Sequence, residues 1–373
     1  MLDSVYKKLQ ILGPSAKYDT CGPKEGIDQK IPGVYFAKTG NGYCRLFKVL
    51  QTNSCIKHCR YCVNQACMNT PRVVLSPDDM ARTFMELIGK RLVDGLFLSS
   101  GILGNSQTAM SKILETATII RQRYHYHGYI HLKIMPGVTD IYLEEALKLS
   151  NRVSLNLEAP NSERLKEISP DKNYENEVLK TVIRLNTIRQ KYNLKYKRNI
   201  SQTTQFVVGA TRDSDAEILD TMQLLYRQLK LTRIFYSSFS PVSGSPLQDV
   251  TASTTKRGHR LYQADFLLRF YGFQKNDIVL GKNKMLSLQK DPKLAFAESH
   301  PELYPIEINT SPRNNLLKIP GIGPDNVDKI IQRRIKYGKI NSHFELKKMG
   351  ISIRRASQFI TVNGKYEAQL NLF

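Results

Sequence analysis

From residue 43 onward, short runs rich in Val, Ile, Leu, Phe and Tyr alternate with longer stretches whose apolar residues recur every three or four positions. The first pattern suits a buried strand and the second an amphipathic helix. Strands are therefore expected over 43–50, 95–99, 129–135, 152–157, 203–209 and 232–237, and helices over 77–90, 106–124, 140–149, 176–192, 213–228 and 259–271. In the last helix Leu261, Ala264, Leu268 and Tyr271 fall on one face. Six strand–helix units in succession predict a parallel sheet with right-handed crossovers. Periodicity leaves open whether that sheet is doubly wound or curls into a partial barrel. In either form the chemistry belongs at the carboxyl ends of the strands.

After residue 271 the alternation stops. Residues 291–312 hold Pro292, Pro301, Pro305 and Pro312 and read as an ordered but irregular linker. The chain thus divides into an N-terminal extension (1–42), an α/β domain (43–290), that linker, and a C-terminal domain (313–373). The C-terminal domain contains a repeat: Leu317, Lys318, Gly321, Ile322 and Ile331 recur 29 residues later as Leu346, Lys347, Gly350, Ile351 and Ile360. Each copy reads as helix, tight glycine turn, helix, so a small all-α domain is expected.

A length of 373 residues allows two or three domains, and 41% hydrophobic with 24% charged residues excludes wholesale disorder. No window approaches the roughly 18 apolar residues of a spanning helix, and the N-terminus lacks the apolar core of a secretion signal. The expected location is cytoplasmic. With 55 Lys and Arg against 33 Asp and Glu, the formal charge is +22. Phosphate-bearing partners fit that charge, as does a Lys-rich composition inherited from an AT-rich genome. All six cysteines (21, 44, 55, 59, 62 and 67) fall in the first fifth of the chain, which points to metal or cluster chemistry rather than to disulfides.

Cys55-Ile-Lys-His-Cys59-Arg-Tyr-Cys62 follows the first strand directly, after Thr52, Asn53 and Ser54. Three closely spaced thiolates can ligate three irons of one cuboidal cluster and leave the fourth iron open, whereas a structural cluster takes four Cys. The alternatives are a zinc site, whose paired spacings this run fits poorly, and a four-Cys cluster that recruits Cys67, Cys44 or Cys21.

This spacing resembles the radical S-adenosylmethionine (SAM) superfamily over roughly residues 43–273. The resemblance implies a partial (β/α)6 TIM-like barrel and a 4Fe-4S cluster on Cys55, Cys59 and Cys62. SAM chelated by the open iron would be cleaved reductively to a 5′-deoxyadenosyl radical that abstracts hydrogen from the substrate. An electron donor such as flavodoxin or ferredoxin is implied with it. Ser99, Ser100 and Gly101 stand where the superfamily often has a Gly-Gly-Glu turn for the methionine amino group. Asn156 and Glu158 stand where polar groups meet the ribose hydroxyls, and Gln205 and Gly209 beside the adenosyl moiety. A helix-capping or surface carboxylate is the plain alternative for Glu158.

Longer stretches are similar to one family of radical SAM proteins described as acting in DNA modification or repair, with a C-terminal helix-hairpin-helix region. They are Lys48-Val-Leu-Gln-Thr-Asn53, Tyr61-Cys62-Val-Asn64, Gly95-Leu-Phe-Leu-Ser-Ser-Gly-Ile102, Gly128-Tyr-Ile-His-Leu-Lys133 and residues 259–272, which begin His259-Arg-Leu-Tyr. The family tends to have an upstream cysteine, which Cys21 would match. Cys21, Cys44 and Cys67 otherwise read as buried thiols or as holders of a second metal centre. His259 and Arg260, at the start of the last helix, are candidate substrate or catalytic groups, with a solvated helix face as the alternative.

In the tail, Pro320-Gly321-Ile322-Gly323 looks like the helix-hairpin-helix module, in which backbone N–H groups donate to a phosphate without reading bases. Lys318, Arg333, Arg334, Lys347, Lys348, Arg354 and Arg355 cluster in the same segment, whereas Pro32-Gly33-Val34 and Pro136-Gly137-Val138 are expected to be plain turns. A protein-docking helical pair is the alternative. The expected function is a radical SAM enzyme that modifies or repairs nucleic acid, DNA rather than RNA, with a DNA-repair protein as a further partner. The rivals are an RNA-modifying radical SAM enzyme and a non-catalytic iron–sulfur DNA-binding protein.

Overall fold

The computed structural model describes residues 2–19, 25–28, 30–39 and 42–366; Cys21 lies outside the described residues. The chain opens with helix α1 (Leu2–Ser15) and two short strands, β1 (Glu25–Ile27) and β2 (Val34–Thr39). Strand β3 (Gly42–Leu50) then begins a run of six, continued by β4 (Gly95–Ser99), β5 (Tyr129–Lys133), β6 (Arg152–Ser154), β7 (Ser201–Val208) and β8 (Arg233–Ser238). Between them lie α2 (Pro77–Gly89), α3 (Ser106–Thr118), α4 (Asp140–Leu149), α5 (Ser162–Ile168), α6 (Lys180–Tyr196) and α7 (Asp215–Arg227), and α8 (Thr255–Phe270) follows β8.

Strand order in the sheet is the order in the chain, β1 through β8. β1, β2 and β3 pair antiparallel, and every later neighbour pairs parallel. A doubly wound sheet requires a reversal of strand order. There is none, and the sheet curls into a half-barrel. β4 is buried along its whole length, as a strand covered on both faces must be. Helices α2, α3 and α5 start where side chains cap them: Ser76 accepts from the Asp79 N–H with Pro77 in the first turn, Asn105 from Thr108, and Asn161 from Arg164. No helix among the described residues is long and apolar enough to cross a membrane.

The sheet has two strands more than expected. β1 and β2 lie in the stretch read as an N-terminal extension, and β2 aligns Val34 with Phe47 of β3. Gly40-Asn41, two turn-forming residues between two apolar runs, was the sequence signal for this pairing.

By packing, the chain forms two compact units, Met1–Asp213 with Asp220–Gly258, and Ser214–Leu219 with His259–Phe373. In the second unit, α9 (Pro292–Ser299) and β9 (Ile306–Glu307) precede α10 (Arg313–Leu316), α11 (Pro324–Tyr337), α12 (His343–Lys348), α13 (Ile353–Ala356) and β10 (Ile360–Thr361). Two expectations are corrected here. Residues 291–312 are more than an irregular linker, because Asp291 caps α9 and Pro292 occupies its first turn. The C-terminal region is not all-α, since β9 and β10 pair in parallel. Ala297, Ile306 and Ile308 share one core with Leu316, Ile319, Ile322 and Leu346, so the compositional boundary at 313 cuts through a single hydrophobic cluster. Within it the repeat is visible as two helix pairs, α10–α11 around Gly321 (φ +86°) and α12–α13 around Gly350 (φ +85°).

Candidate active site: a cavity at the strand ends

Cys55, Cys59 and Cys62 line one cavity of about 170 Å³, in company with Ser99, Ser100, Gly101, Asn156, Glu158 and Gln205. These residues come from the ends of β3, β4 and β7 and from the stretch after β6, where a parallel α/β sheet concentrates its chemistry.

The cysteine loop is held by backbone contacts. Arg72 donates to the carbonyls of Asn53 (2.7 Å), Asn64 (2.8 Å), Gln65 (2.6 Å) and Met68 (2.9 Å), tying both ends of the loop to one guanidinium. The Asn53 side chain exchanges hydrogen bonds with Pro71 and Val73. Ile56 N–H donates to the Ile102 carbonyl (2.9 Å). Gly101 lies so close to the loop that a Cβ there would fall 2.4 Å from the Ser54 carbonyl oxygen, which accounts for glycine at this position.

Each sulfur has a polar neighbour. Ile102 N–H lies 3.4 Å from Cys55 Sγ, Asn64 N–H 3.4 Å from Cys62 Sγ, and the Ser169 hydroxyl 3.1 Å from Cys59 Sγ. Burial pushes the Cys62 thiol up to about 12, and Cys59 beside it adds to the shift. Lys172 Nζ sits 3.7 Å from Glu158 Oε1; burial opposes its charge, but the three cysteines and Glu158 together raise its pKa. Three sulfurs and a carboxylate stand around one ammonium, and sulfurs that bind as thiolates suit a positively charged metal centre. Among the described residues no group of three His, Cys, Asp or Glu is arranged to hold a single metal ion. Three sulfurs bordering one cavity suit a multinuclear cluster.

Glu158 is buried, with φ +67°, and its backbone is fixed by a bridge to β7: its N–H donates to Gln205 O (3.0 Å) and its carbonyl accepts from Val207 (2.8 Å). A non-glycine residue in the left-handed region, held there from both sides, is typical of a functional position. It caps no helix, because Asn161 caps α5.

The N-terminal segment reaches the same cavity, which sequence reasoning missed. Asp19 pairs with Lys133 (2.5 Å), Asn156 Nδ2 lies 3.4 Å from both Asp19 Oδ1 and Glu158 Oε2, and Gln205 Nε2 donates to Tyr18 O (2.9 Å). Burial works against the Asp19 charge, but Lys133 and Lys48 overcome it and hold the carboxyl below its usual range. Only the fold brings Asp19 to Lys133, 114 residues away, and no local pattern announces it.

Three expected residues lie elsewhere. Gly209 does not line the cavity; it turns the chain at φ +83°, its N–H donating to Asp213 Oδ1, with Ser253 against its Cα. Arg260 holds the 287–289 segment through the carbonyls of Ser287, Leu288 and Gln289. His259 is exposed and lines no part of the cavity. Cys67 is exposed and Cys44 stands at the opening end of β3, so neither borders the cavity as a fourth ligand.

The tail residues also divide. Ile322 is core, and Arg333 pairs with Glu345 (3.2 Å). Arg334, partly buried, donates to Ser311 O (2.8 Å), and Arg355 pairs with Asp291 (2.5 Å). Lys318 lies over the Phe296 ring, and Lys348 over Phe344. Lys347 and Arg354 are exposed.

The chain is similar to solved structures of HydG, a maturase of the FeFe-hydrogenase (12% identity, 59% of this chain, 48% of that chain, TM-score 0.46), and of methylornithine synthase (12%, 59% and 60%, 0.46). A radical SAM methyltransferase from Sphaerobacter thermophilus is also similar (11%, 70% and 86%, 0.43). The chain spans about half the length of the first and three fifths of the second. No curated protein matches it. Residues 49–225 match the family described as the Radical SAM superfamily. The matched segment runs from the end of β3 into α7 and carries the cysteine loop, and the superfamily it matches uses a 4Fe-4S cluster and S-adenosylmethionine with an electron donor.

Proposed function

We propose that this protein is a radical SAM enzyme that modifies or repairs nucleic acid, with DNA as the favoured substrate. Cys55, Cys59 and Cys62 would hold the cluster, and their grouping around one cavity, each sulfur beside a polar group, supports that assignment. When bound, the cluster and SAM supply one electron and a hydrogen-abstracting group. The residues of the chain bind and orient. Glu158 and Asn156 offer a carboxylate and an amide to hydroxyls, Gln205 offers an amide, and Ser99 to Gly101 offer backbone and hydroxyl groups to the amino-acid end of the cofactor. Lys172 balances the negative charge that the sulfurs and Glu158 bring to the cavity.

One observation carries the nucleic-acid half of the reading: the doubled helix–glycine turn–helix of the C-terminal unit. It lies in a segment with twelve Lys and Arg against four Asp and Glu, net +8 from residue 313 onward. Glycine turns that leave helix N-termini uncapped suit phosphate backbone, and such a grip confers little sequence preference.

The test is anaerobic reconstitution with iron, sulfide, SAM and dithionite, followed by assay of 5′-deoxyadenosine with and without DNA or RNA. Stimulation by DNA is expected. Stimulation by RNA alone would favour an RNA-modifying enzyme. An intact cluster with no SAM cleavage would leave a non-catalytic iron–sulfur protein.

A further inference from the structure

The second unit contains a cavity of its own, of about 290 Å³, between α8, the start of α9 and the Gly321–Gly323 turn. At the low end of ligand-pocket sizes, it has room for a single nucleotide. Its lining combines two chemistries. Phe266 presents a ring that is 39% exposed, the partner of Phe270 at 5.6 Å between centroids, with the Arg269 guanidinium over both rings. Lys293, 7% exposed, and Arg355 line the same cavity. Lys293 Nζ donates to the Ile322 carbonyl (2.5 Å) and lies 4.7 Å from the centre of the Tyr271 ring. The Arg355 guanidinium gives Asp291 part of its donor set, and Asp291 is itself held by the N–H of Leu294 in α9. A guanidinium carries five N–H donors, so one carboxylate does not exhaust it. The lining ends at Gly323, the N-cap of α11, whose first turn opens with Pro324 and Asp325.

Burying an ammonium is costly, and the cost shows in Lys293, which burial pushes down to about 7. A lysine kept beside an open cavity at that cost suits an anion that would restore its charge. We propose that this cavity takes one unstacked nucleotide of a single strand, with its phosphate on Lys293 and Arg355 and its base against Phe266. The inference rests on the nucleic-acid reading above and deepens it. Glycine turns alone would grip a duplex backbone, whereas an aromatic ring beside the phosphate donors selects a nucleotide that has left its stack.

The test is fluorescence anisotropy with end-labelled oligothymidylate, oligouridylate and a duplex, each of about twelve nucleotides per strand, on the full chain. Oligothymidylate should bind more tightly than the duplex. Phe266→Ala should weaken oligothymidylate about tenfold while leaving the duplex unchanged, and Phe266→Trp should restore it. Lys293→Met should weaken both single strands. If that variant fails to fold, Phe266→Ala, at a half-exposed position, still decides. Equal binding of duplex and single strand, with no effect of Phe266→Ala, overturns the cavity proposal and leaves the nucleic-acid reading standing. Binding of none of the three probes overturns both. Oligouridylate bound as tightly as oligothymidylate places the contacts on base and phosphate, and a clear preference for one strand adds the sugar to them; either result upholds the cavity.

Discussion

Glu158 is the residue at which strain, burial and charge meet. Its carboxylate lies beside Lys172, its backbone is locked in the left-handed region, and its side chain borders the cavity. Glu158→Ala should weaken SAM binding by about 1.5–3 kcal/mol, the range for a hydrogen bond to a charged group, with the iron content unchanged. Equilibrium dialysis of SAM and an iron assay check this together, and unaltered SAM affinity would reduce Glu158 to a partner of Lys172. The cysteines make a sharper set. Ala at Cys55, Cys59 or Cys62 should abolish both the cluster and SAM cleavage, while Cys44→Ala and Cys67→Ala should keep about four irons per chain. Loss of iron in Cys67→Ala would turn the site into a four-Cys structural cluster. Lys293 gives a signature in stability. Its pKa in the folded chain is lowered to about 7, so from there up to the ordinary lysine value the unfolded chain holds the extra proton. Stability from this group therefore rises with pH across that window. Lys293→Met should flatten that rise, and denaturant melts of both proteins at neutral and alkaline pH would show a difference that shrinks as pH increases.

At the level of elements, the two glycines of the first hairpin are not equivalent. Gly321 has φ +86°, and a Cβ there would lie 2.9 Å from the Cβ of Arg355, whereas Gly323 has φ −101° and faces only the Tyr271 hydroxyl at 3.2 Å. Gly321→Ala should destabilise the second unit by about 1–3 kcal/mol, the usual cost of a strained backbone. Gly323→Ala should leave the melting transition nearly unchanged and put a methyl at the mouth of the cavity, which makes it the cleaner probe of phosphate approach. Comparable destabilisation by both would mean that the turn tolerates no side chain at all. The same contrast separates what was legible in the sequence from what was not. The six parallel strands announce themselves because each is a short apolar run with a buried stretch, and the cysteine loop because its spacing is local. β1 escapes notice because it is three residues long with an exposed Ile27, and β2 because it lies ahead of the strand–helix alternation, although Val34, Tyr35 and Ala37 are buried. α9 is masked by a stretch whose prolines suggest a linker, although Asp291-Pro292 is a proper helix start. Arg260 looks catalytic in sequence because charges crowd its helix, and only the folded chain reveals three carbonyls taking its donors. Asp19 and Arg72 act through long-range contacts that no periodicity encodes.

For the whole molecule, a formal charge of +22 predicts that any nucleic-acid affinity falls steeply with salt, but the net figure hides which charges are available. In the C-terminal unit Arg333 is bound to Glu345 and Arg334 is half-buried on Ser311, with burial lowering its pKa. Lys347 and Arg354 are exposed and have no ion-pair partner among the described residues. Each phosphate contact contributes about 0.9 to the slope of log affinity against log salt on duplex DNA. The double variant Lys347→Gln, Arg354→Gln should therefore lower that slope by about two, with affinity reduced alike on unrelated duplex sequences and the melting temperature unchanged. The matched pair Arg333→Gln, Arg334→Gln should do the reverse, lowering the melting temperature through the lost Glu345 and Ser311 contacts and leaving the slope nearly where it was. A salt titration of the parent and both variants on one duplex reads all of this. Equal slope changes in the two variants would mean that nucleic acid responds to the summed field of a basic chain. A difference confined to Lys347 and Arg354 would locate the grip on the second hairpin, at the residues that the fold leaves free to make it.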